Sequence, residues 1–337
     1  MPVNATLATY SDYAFHSAVG IYLLAMLLHL GEFARTRVPA ALAEVPVPAS
    51  VAATASSSAV TDASATDTAE PATVGTAPAG GAPAGGVPTG RPWRERFGRM
   101  AVALTVLGAL VQIGSVATRG FAVGRWPWGN MYEFISAACL MAVLTWLYVL
   151  RRNPATRPLG AFVLLPVEVL LFLAGSALYV RPGPVVPALQ SYWLTIHVTA
   201  VSLASGLLMV SGVASVLYLL RRYGRAGWLD VLPGAEALDR VAYRVTIFAF
   251  PLYTFAIICG AIWAEAAWGR FWGWDPKETV AFVVWVVYAC YLHARSTAGW
   301  RTGGAAWINV CGLAAVLFNL FFINLVTTGL HSYAGLG

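Results

Sequence analysis

The chain has 337 residues, of which 58% are hydrophobic and 11% are charged, and its mean hydropathy is +0.68. Soluble domains carry roughly 25% charged residues, so this composition excludes a soluble cytosolic protein and favours a polytopic membrane protein. The net charge of +6 does not indicate a nucleic-acid-binding protein, because 20 of the 21 basic residues are Arg. Most of these arginines lie in short gaps between apolar runs, where they act as topology signals.

Eight apolar runs are long enough to cross a bilayer, and such runs form helices because lipid cannot satisfy open backbone groups. The predicted fold class is therefore all-α, a polytopic transmembrane helix bundle. The runs fall at about 13–33, 98–117, 131–150, 159–180, 193–220, 242–263, 279–295 and 305–328. The gaps after the first, third, fifth and seventh runs hold 16 of the 21 basic residues, and the N-terminus and the other gaps hold five. The positive-inside rule then predicts that both termini lie outside.

One long segment differs from the apolar runs. Residues 38–90 consist almost entirely of Ala, Val, Pro, Thr, Ser and Gly, with four acids and no base. Such a composition cannot bury enough apolar surface to fold. We therefore predict three parts: a first transmembrane helix in 1–37, a disordered cytoplasmic linker with a basic anchor in 38–97, and a seven-helix domain in 98–337.

The loop of residues 264–278, predicted to lie outside, holds four aromatic residues within seven positions, spaced by glycine. A single Trp at this depth is typical of the interfacial belt, but four exceed what membrane anchoring requires. Glycines let the backbone and rings approach a flat ligand closely. Arg270 and Lys277 could pair with carboxylates of a ligand, and Asp275 could order the loop through backbone hydrogen bonds. A planar, apolar dianion such as haem suits this chemistry.

Three of the five histidines have informative positions. His197 lies about one turn inside the fifth run, and His331 follows the eighth, so both fall at the membrane surface that carries the aromatic loop. Two imidazoles there could supply axial ligands to haem iron. His293 ends the seventh run, 18 residues after Asp275. At about 1.5 Å per residue it lies roughly 27 Å away, where it could bind a ligand or act as a favourable C-terminal cation.

Residues 268–278, which read Trp-Gly-Arg-Phe-Trp-Gly-Trp-Asp-Pro-Lys-Glu, closely resemble the "WWD" signature of haem-handling proteins. The match is to the CcsA/ResC family of System II cytochrome c biogenesis and covers roughly 98–337. Residues 129–133, Gly-Asn-Met-Tyr-Glu, are similar to the N-x-Y-E element of that family. The resemblance implies that haem is bound by His197, His331, His293, Trp268, Trp272, Trp274 and Asp275. It implies supporting roles for Arg270, Lys277, Glu278, Asn130, Tyr132 and Glu133.

The same resemblance implies how the site works. His197 and His331 would hold iron outside the membrane, and His293 would hold it within the membrane. Haem b, bound non-covalently as a substrate, would pass from the cytoplasmic side to the WWD loop outside a bacterial plasma membrane. There its vinyl groups would form thioethers with the C-x-x-C-H thiols of an apocytochrome c, which thioredoxin-like proteins keep reduced. The chain would act as a holocytochrome c synthase with a Ccs1/ResB-type membrane protein, and no catalytic acid or base is assigned.

Of two other functions, the sequence leaves a haem exporter open and disfavours a b-type electron carrier. A haem exporter would use the same residues and leave the ligation to its partner. A b-type electron carrier needs histidines paired across helices, and the second, third, fourth and sixth runs contain none. The roles of His16, His29 and Glu168 are also open: His29 could pair with His293 at the inner face, and Glu168 is either a functional intramembrane acid or a protonated, hydrogen-bonded one.

Overall fold

The computed structural model describes residues 3–34, 93–301, 303–327 and 329–331. Within these ranges the chain forms eight helices that are long and apolar enough to span a membrane, and no strand. The prediction of an all-α multi-span membrane protein is therefore confirmed. The predicted linker of residues 38–90 lies outside the described ranges, and the three-part organisation stays a prediction.

The helices are α1 (Ala5–Ala34), α2 (Trp93–Val123), α3 (Met131–Arg152), α4 (Gly160–Ser176), α5 (Tyr192–Tyr223), α6 (Ala235–Trp268), α7 (Pro276–Ser296) and α8 (Gly303–Leu325). Several of them extend beyond the predicted runs, because a helix continues past the hydrocarbon into polar sequence that hydropathy does not count. Trp93 to Phe97, predicted to belong to the basic anchor, are the first residues of α2. By contrast, α4 and α8 end before their apolar runs do, at Ser176 and Leu325.

Side-chain caps fix where three helices begin. Asn130, Ser191 and Asp275 are the N-caps of α3, α5 and α7, and each accepts a hydrogen bond from a backbone N–H of the first turn. Consecutive spanning helices alternate in direction, so the three caps lie at one end of the bundle. We call this end, which carries the connections 124–130, 177–191 and 269–275, the aromatic-loop end. The side of the membrane that it faces stays a prediction from the arginine distribution.

Helix α5 is the centre of the domain, since it packs against α3, α6 and α8. Gly206 permits the close approach of α5 to α3, because a Cβ atom there would lie 2.6 Å from the backbone nitrogen of Ala142. On its other side Asn309 of α8 donates hydrogen bonds to the hydroxyl oxygens of Ser211, at 2.8 Å, and Ser215, at 2.7 Å. Small residues and interhelical hydrogen bonds of this kind drive helix association in lipid, where the hydrophobic effect cannot.

Candidate functional site

A cavity of about 220 Å³ lies at the aromatic-loop end and is lined by residues of α3, α4, α5, α6, α7 and α8. Its wall is mostly aliphatic and aromatic, as is usual for sites that bind small organic ligands. The polar side chains on the wall belong to Asn130, His197, Ser205, Tyr253, Lys277, Glu278, Asn319, Asn324 and His331. The fold thus brings together residues from six helices and from the connections between them, which the sequence separates by up to about 200 positions.

His197 projects from α5 onto this wall and is half-buried. Its Nδ1 lies 2.7 Å from the carbonyl oxygen of Ala256 on α6. A carbonyl oxygen can only accept, so Nδ1 carries the proton, and in the neutral ring Nε2 is then the nitrogen with the lone pair. Gly260 leaves room for the ring, because a Cβ there would lie 2.7 Å from Cε1 of the imidazole. Nε2 has no hydrogen-bond partner among the described residues, so it is available to a ligand.

His331 lies after the C-terminal end of α8 and also lines the cavity. Its Nδ1 lies 2.9 Å from Oδ2 of Asp275, whose Oδ1 accepts from the backbone N–H of Leu330 at 2.8 Å. Burial lowers the pKa of the His331 imidazole to about 4, and the Lys277 cation acts in the same direction. His331 is therefore neutral at pH 7. Its Nδ1 donates a hydrogen bond, and its Nε2 carries a lone pair that is free to bind a ligand.

Asp275 orders the loop that carries it. It caps α7 and forms a reciprocal capping box with Glu278, whose Oε2 accepts from the backbone N–H of Asp275 at 3.1 Å and of Gly273 at 2.9 Å. Burial by itself raises the pKa of the Asp275 carboxyl, but the hydrogen bonds from Leu330 and His331 outweigh burial and hold that pKa below its ordinary value. Asp275 is thus an ionised group that joins the loop to the segment after α8.

The tryptophans of the predicted platform occupy different environments. Trp272 lies on the cavity wall, and the ring of Trp268 packs against that of His331 with 4.9 Å between centroids. Trp274 has a backbone φ of 57° and its residue is 67% exposed, so its ring points away from the wall. Positive φ is uncommon outside glycine, and here it accompanies the sharp turn that brings Asp275 to the start of α7.

Trp263 and Trp128 also line the cavity, although no role is predicted for them from the sequence. The Trp263 ring is stacked on His197 at 6.2 Å between centroids and lies 5.7 Å from the ring of His331. It therefore contacts both candidate ligands. A signal for Trp263 existed, because it precedes Trp268 by five residues. However, Trp263 lies within an apolar run, and an aromatic residue in such a run is typical of core packing and does not by itself indicate a binding site.

The two basic residues of the loop are separated by the fold. Lys277 lies on the cavity wall, whereas Arg270 is exposed and its guanidinium packs over Gly273, where a Cβ atom would overlap it.

The residues of the N-x-Y-E element are separated in the same way. Asn130 lies on the cavity wall. Glu133 is fully buried beneath the wall, accepting from Arg119 at 2.9 Å and from Arg125 at 3.0 Å, and Arg119 lies over the ring of Tyr132. Tyr132 and Glu133 therefore support the wall without lining it.

The remaining histidines lie away from the cavity. His293 is exposed near the end of α7. His16 is exposed on α1, and His29 is buried against the ring of Trp146 on α3, with 5.3 Å between centroids. Helix α1 packs against α2 and α4, whereas α7 packs against α8 and α6, so nothing in the packing brings His29 and His293 together. Glu168 of α4 is buried, and its Oε1 has no hydrogen-bond partner among the described residues.

The donor set indicates the kind of ligand. Among the described residues no group of three His, Cys, Asp or Glu side chains could hold a bare metal ion. Protein sites for such ions usually supply three or four ligands, whereas haem iron needs only axial ones because the porphyrin fills the plane. Two imidazoles with free Nε2 atoms that line one mostly apolar, aromatic-rich cavity fit haem as a substrate.

Comparison with known proteins agrees with this chemistry. The family described as "Cytochrome C assembly protein" matches residues 128–331, a range that begins at Trp128 and ends at His331. The chain is 34% identical over 276 residues to the cytochrome c biogenesis protein CcsA of Synechococcus sp. (strain RCC307), covering 72% of this chain and 87% of that protein. It is 35% identical over 224 residues to the CcsA of Chlamydomonas reinhardtii, covering 62% of this chain and 61% of that protein. The chain therefore belongs to the cytochrome c assembly protein family, as a relative of the CcsA proteins of cytochrome c biogenesis.

Proposed function

We propose that this protein holds haem b in the cavity at its aromatic-loop end, with Nε2 of His197 and Nε2 of His331 as the two axial ligands to iron. One observation carries the proposal: both imidazoles line one cavity, and each has its Nδ1 proton fixed by an acceptor, so that only Nε2 can bind metal. Metal-binding histidines characteristically donate their other N–H to a carboxylate or a carbonyl, which sets the tautomer and raises the basicity of the ligand.

The protein then acts in cytochrome c biogenesis by presenting the bound haem to an apocytochrome c outside a bacterial plasma membrane. Each thioether forms when a thiol S–H of the C-x-x-C-H motif adds across a vinyl C=C bond, sulfur binding one carbon and hydrogen the other. The addition consumes no electrons, but it requires thiols that thioredoxin-like proteins keep reduced. Most of the rate gain comes from holding the two reactants together, because thiol addition needs little acid–base assistance.

A Ccs1/ResB-type membrane protein is the partner in this proposal, and His293 supplies a second haem position on the way to the cavity. The exposure of His293 near the far end of α7 supports that role, since its ring nitrogens have no hydrogen-bond partner among the described residues. Haem would be taken up there and passed to the outer cavity. The alternative is an exporter that delivers haem while the partner forms the thioethers.

The test of the outer site is to change His197 or His331 to Gly and to co-express each variant with the partner and an apocytochrome c in a strain that lacks other synthases. We expect either change to abolish covalent haem on the acceptor, and added imidazole to restore part of it by filling the vacant position. His16→Gly is the matched control, because His16 is an exposed histidine outside the cavity. Full maturation in both variants without imidazole would contradict the assignment.

A second arm separates the synthase from the exporter. Haem is supplied from outside to cells that contain the partner and the apocytochrome but lack this protein. Covalent attachment under those conditions would show that the partner ligates haem by itself and would favour the exporter. Attachment only when this protein is present, even with haem supplied from outside, would favour the synthase.

A further inference from the structure

Lys277 is the single lysine of the chain, and its side chain lies on the wall of the cavity. It stands in the first turn of α7, where the aligned backbone N–H groups already carry positive partial charge. No carboxylate of the described residues lies within ion-pair distance of its Nζ. A buried cation is costly unless it is paired with an anion, and the N-terminal end of a helix adds further positive charge. The position of Lys277 therefore favours an anionic ligand.

The neighbours of Lys277 fix the direction of its ammonium group. Nζ donates to Oδ1 of Asn324 on α8. The amide of Asn324 cannot turn to offer its nitrogen, because Nδ2 donates to the backbone carbonyls of Leu320, at 2.6 Å, and Asn319, at 3.2 Å. One neutral acceptor satisfies one of the three ammonium protons and leaves the others for a ligand. Both Lys277 and Asn324 face the cavity that His197 and His331 face.

The carboxylates near Lys277 are engaged elsewhere. Oε2 of Glu278 accepts from two backbone N–H groups of the loop, and Asp275 accepts from Leu330 and His331.

We propose that Lys277, held by Asn324, binds a propionate carboxylate of the haem and so selects porphyrins that carry a free carboxylate. This inference rests on the proposed function, because it takes the ligand of the cavity to be haem. The propionates and the vinyls occupy opposite halves of the porphyrin. Anchoring a propionate at the start of α7 therefore turns the vinyl half, the half that reacts with thiols, away from that helix. The two histidines fix the iron, and Lys277 fixes the rotation of the ring about the axis between them.

The experiment titrates the full-length protein, purified in detergent, with haem and with haem dimethyl ester, which keeps the iron and the vinyls but has no carboxylate charge. Binding is followed by the Soret absorption. We expect the wild type to prefer haem to the ester. Lys277→Met should weaken haem binding about tenfold or more, the loss that follows from removing a charge-assisted hydrogen bond, and should leave ester binding nearly unchanged. Lys277→Arg, which keeps the charge, should retain most of the preference.

Arg181→Met is the matched control, because Arg181 is an exposed cation in the α4–α5 connection at the same end of the bundle and does not line the cavity. It should bind both ligands as the wild type does. A Lys277→Met protein that keeps the wild-type preference for haem, or a wild type that binds the ester as tightly as haem, would overturn the anchor. Failure of the wild type to bind either ligand, or indifference of binding to His197→Gly and His331→Gly, would instead overturn the proposed function.

Discussion

His197 and His331 reach the same chemical state through different partners. The Nδ1 proton of His197 faces a backbone carbonyl, which is neutral, whereas that of His331 faces the ionised carboxylate of Asp275. A carboxylate pulls the Nδ1 proton more strongly than a carbonyl does, so Nε2 of His331 is the more basic of the two candidate ligands. The two axial positions of a bound haem would therefore differ, with His197 the weaker ligand and the one that an incoming histidine of the acceptor displaces more easily.

Asp275→Asn tests this difference, because Asn caps a helix about as well as Asp and can still accept from Nδ1. We expect haem affinity to fall roughly 10- to 100-fold, as for other losses of a partner behind a metal-binding histidine. The midpoint potential of the bound haem should rise, since a less basic ligand stabilises ferric iron less. Asp230→Asn, which alters an exposed pair with Arg221, is the control for loss of one carboxylate. An unchanged potential would show that Asp275 acts only as a cap.

The lowered pKa of His331 predicts a pH dependence of stability. In the unfolded chain a histidine has a pKa of about 6.5, whereas burial lowers that of folded His331 to about 4. Between these values the unfolded state binds more protons, so the contribution of His331 to stability is complete above pH 6.5 and decreases as the pH falls toward 4. The Tm of the haem-free wild type should therefore fall more between pH 7.5 and pH 5 than that of His331→Gln. Equal decreases in thermal scans would contradict a neutral, buried His331.

At the scale of elements, the contact between α3 and α5 joins two helices that line the cavity. Asn130 precedes α3 and His197 lies on α5, so the separation of these helices affects the relative positions of two polar groups of the site. The two helices are in close contact at Gly206, because a Cβ atom there would meet backbone as well as side-chain atoms of α3. Backbone cannot move aside as the end of a flexible side chain can.

Gly206→Ala should therefore push α3 and α5 apart. We expect a loss of about 1–3 kcal/mol in stability, which is typical of overpacking, together with weaker haem binding. Gly20→Ala is the matched control: it also adds one methyl group to a transmembrane helix, but no atom lies within 4 Å of the added Cβ. Thermal unfolding in detergent and haem titration measure the two effects. If Gly206→Ala behaves like Gly20→Ala, the close contact does not control the site.

At the scale of the whole molecule, α7 joins two separate regions. Its N-terminus is capped by Asp275 beside the cavity, and His293 lies near its other end, roughly 27 Å away at 1.5 Å per residue. A single haem cannot contact both ends. A ligand role for His293 therefore requires a second haem position that feeds the cavity, whereas a role as a C-terminal cation requires none.

Changing His293 to Gly distinguishes these roles. If His293 binds haem, the purified complex with the partner should contain less haem, with imidazole restoring part of it, although His197 and His331 are intact. If it only stabilises the end of α7, the haem content and the absorption spectrum should match the wild type without imidazole. His16→Gly again controls for removal of an exposed histidine. The measurement is the haem absorption of the complex recorded with and without imidazole.

The sequence by itself determined the features that local composition encodes. Apolar runs predicted eight spanning helices, because a bilayer admits no other structure for such runs. The spacing of residues 268–278 and the positions of His197 and His331 at run ends predicted that they share one end of the bundle. It was also predicted that Asp275 would order the loop through backbone hydrogen bonds. This role depends on local sequence, since the backbone partner of Asp275 lies only two residues away.

Tertiary structure alone decided which side chains meet. Asp275 contacts His331 across 56 positions, and Trp263 lies beside both histidines, because α5, α6 and the segment after α8 converge. The turn at Trp274 exposes that ring, while Glu133 is buried under the wall beside two arginines. None of these outcomes follows from hydropathy or motif, which record what a residue is and where it stands along the chain. Its partners depend on how the helices pack, and in lipid that packing is set by small residues and interhelical hydrogen bonds rather than by apolar pattern.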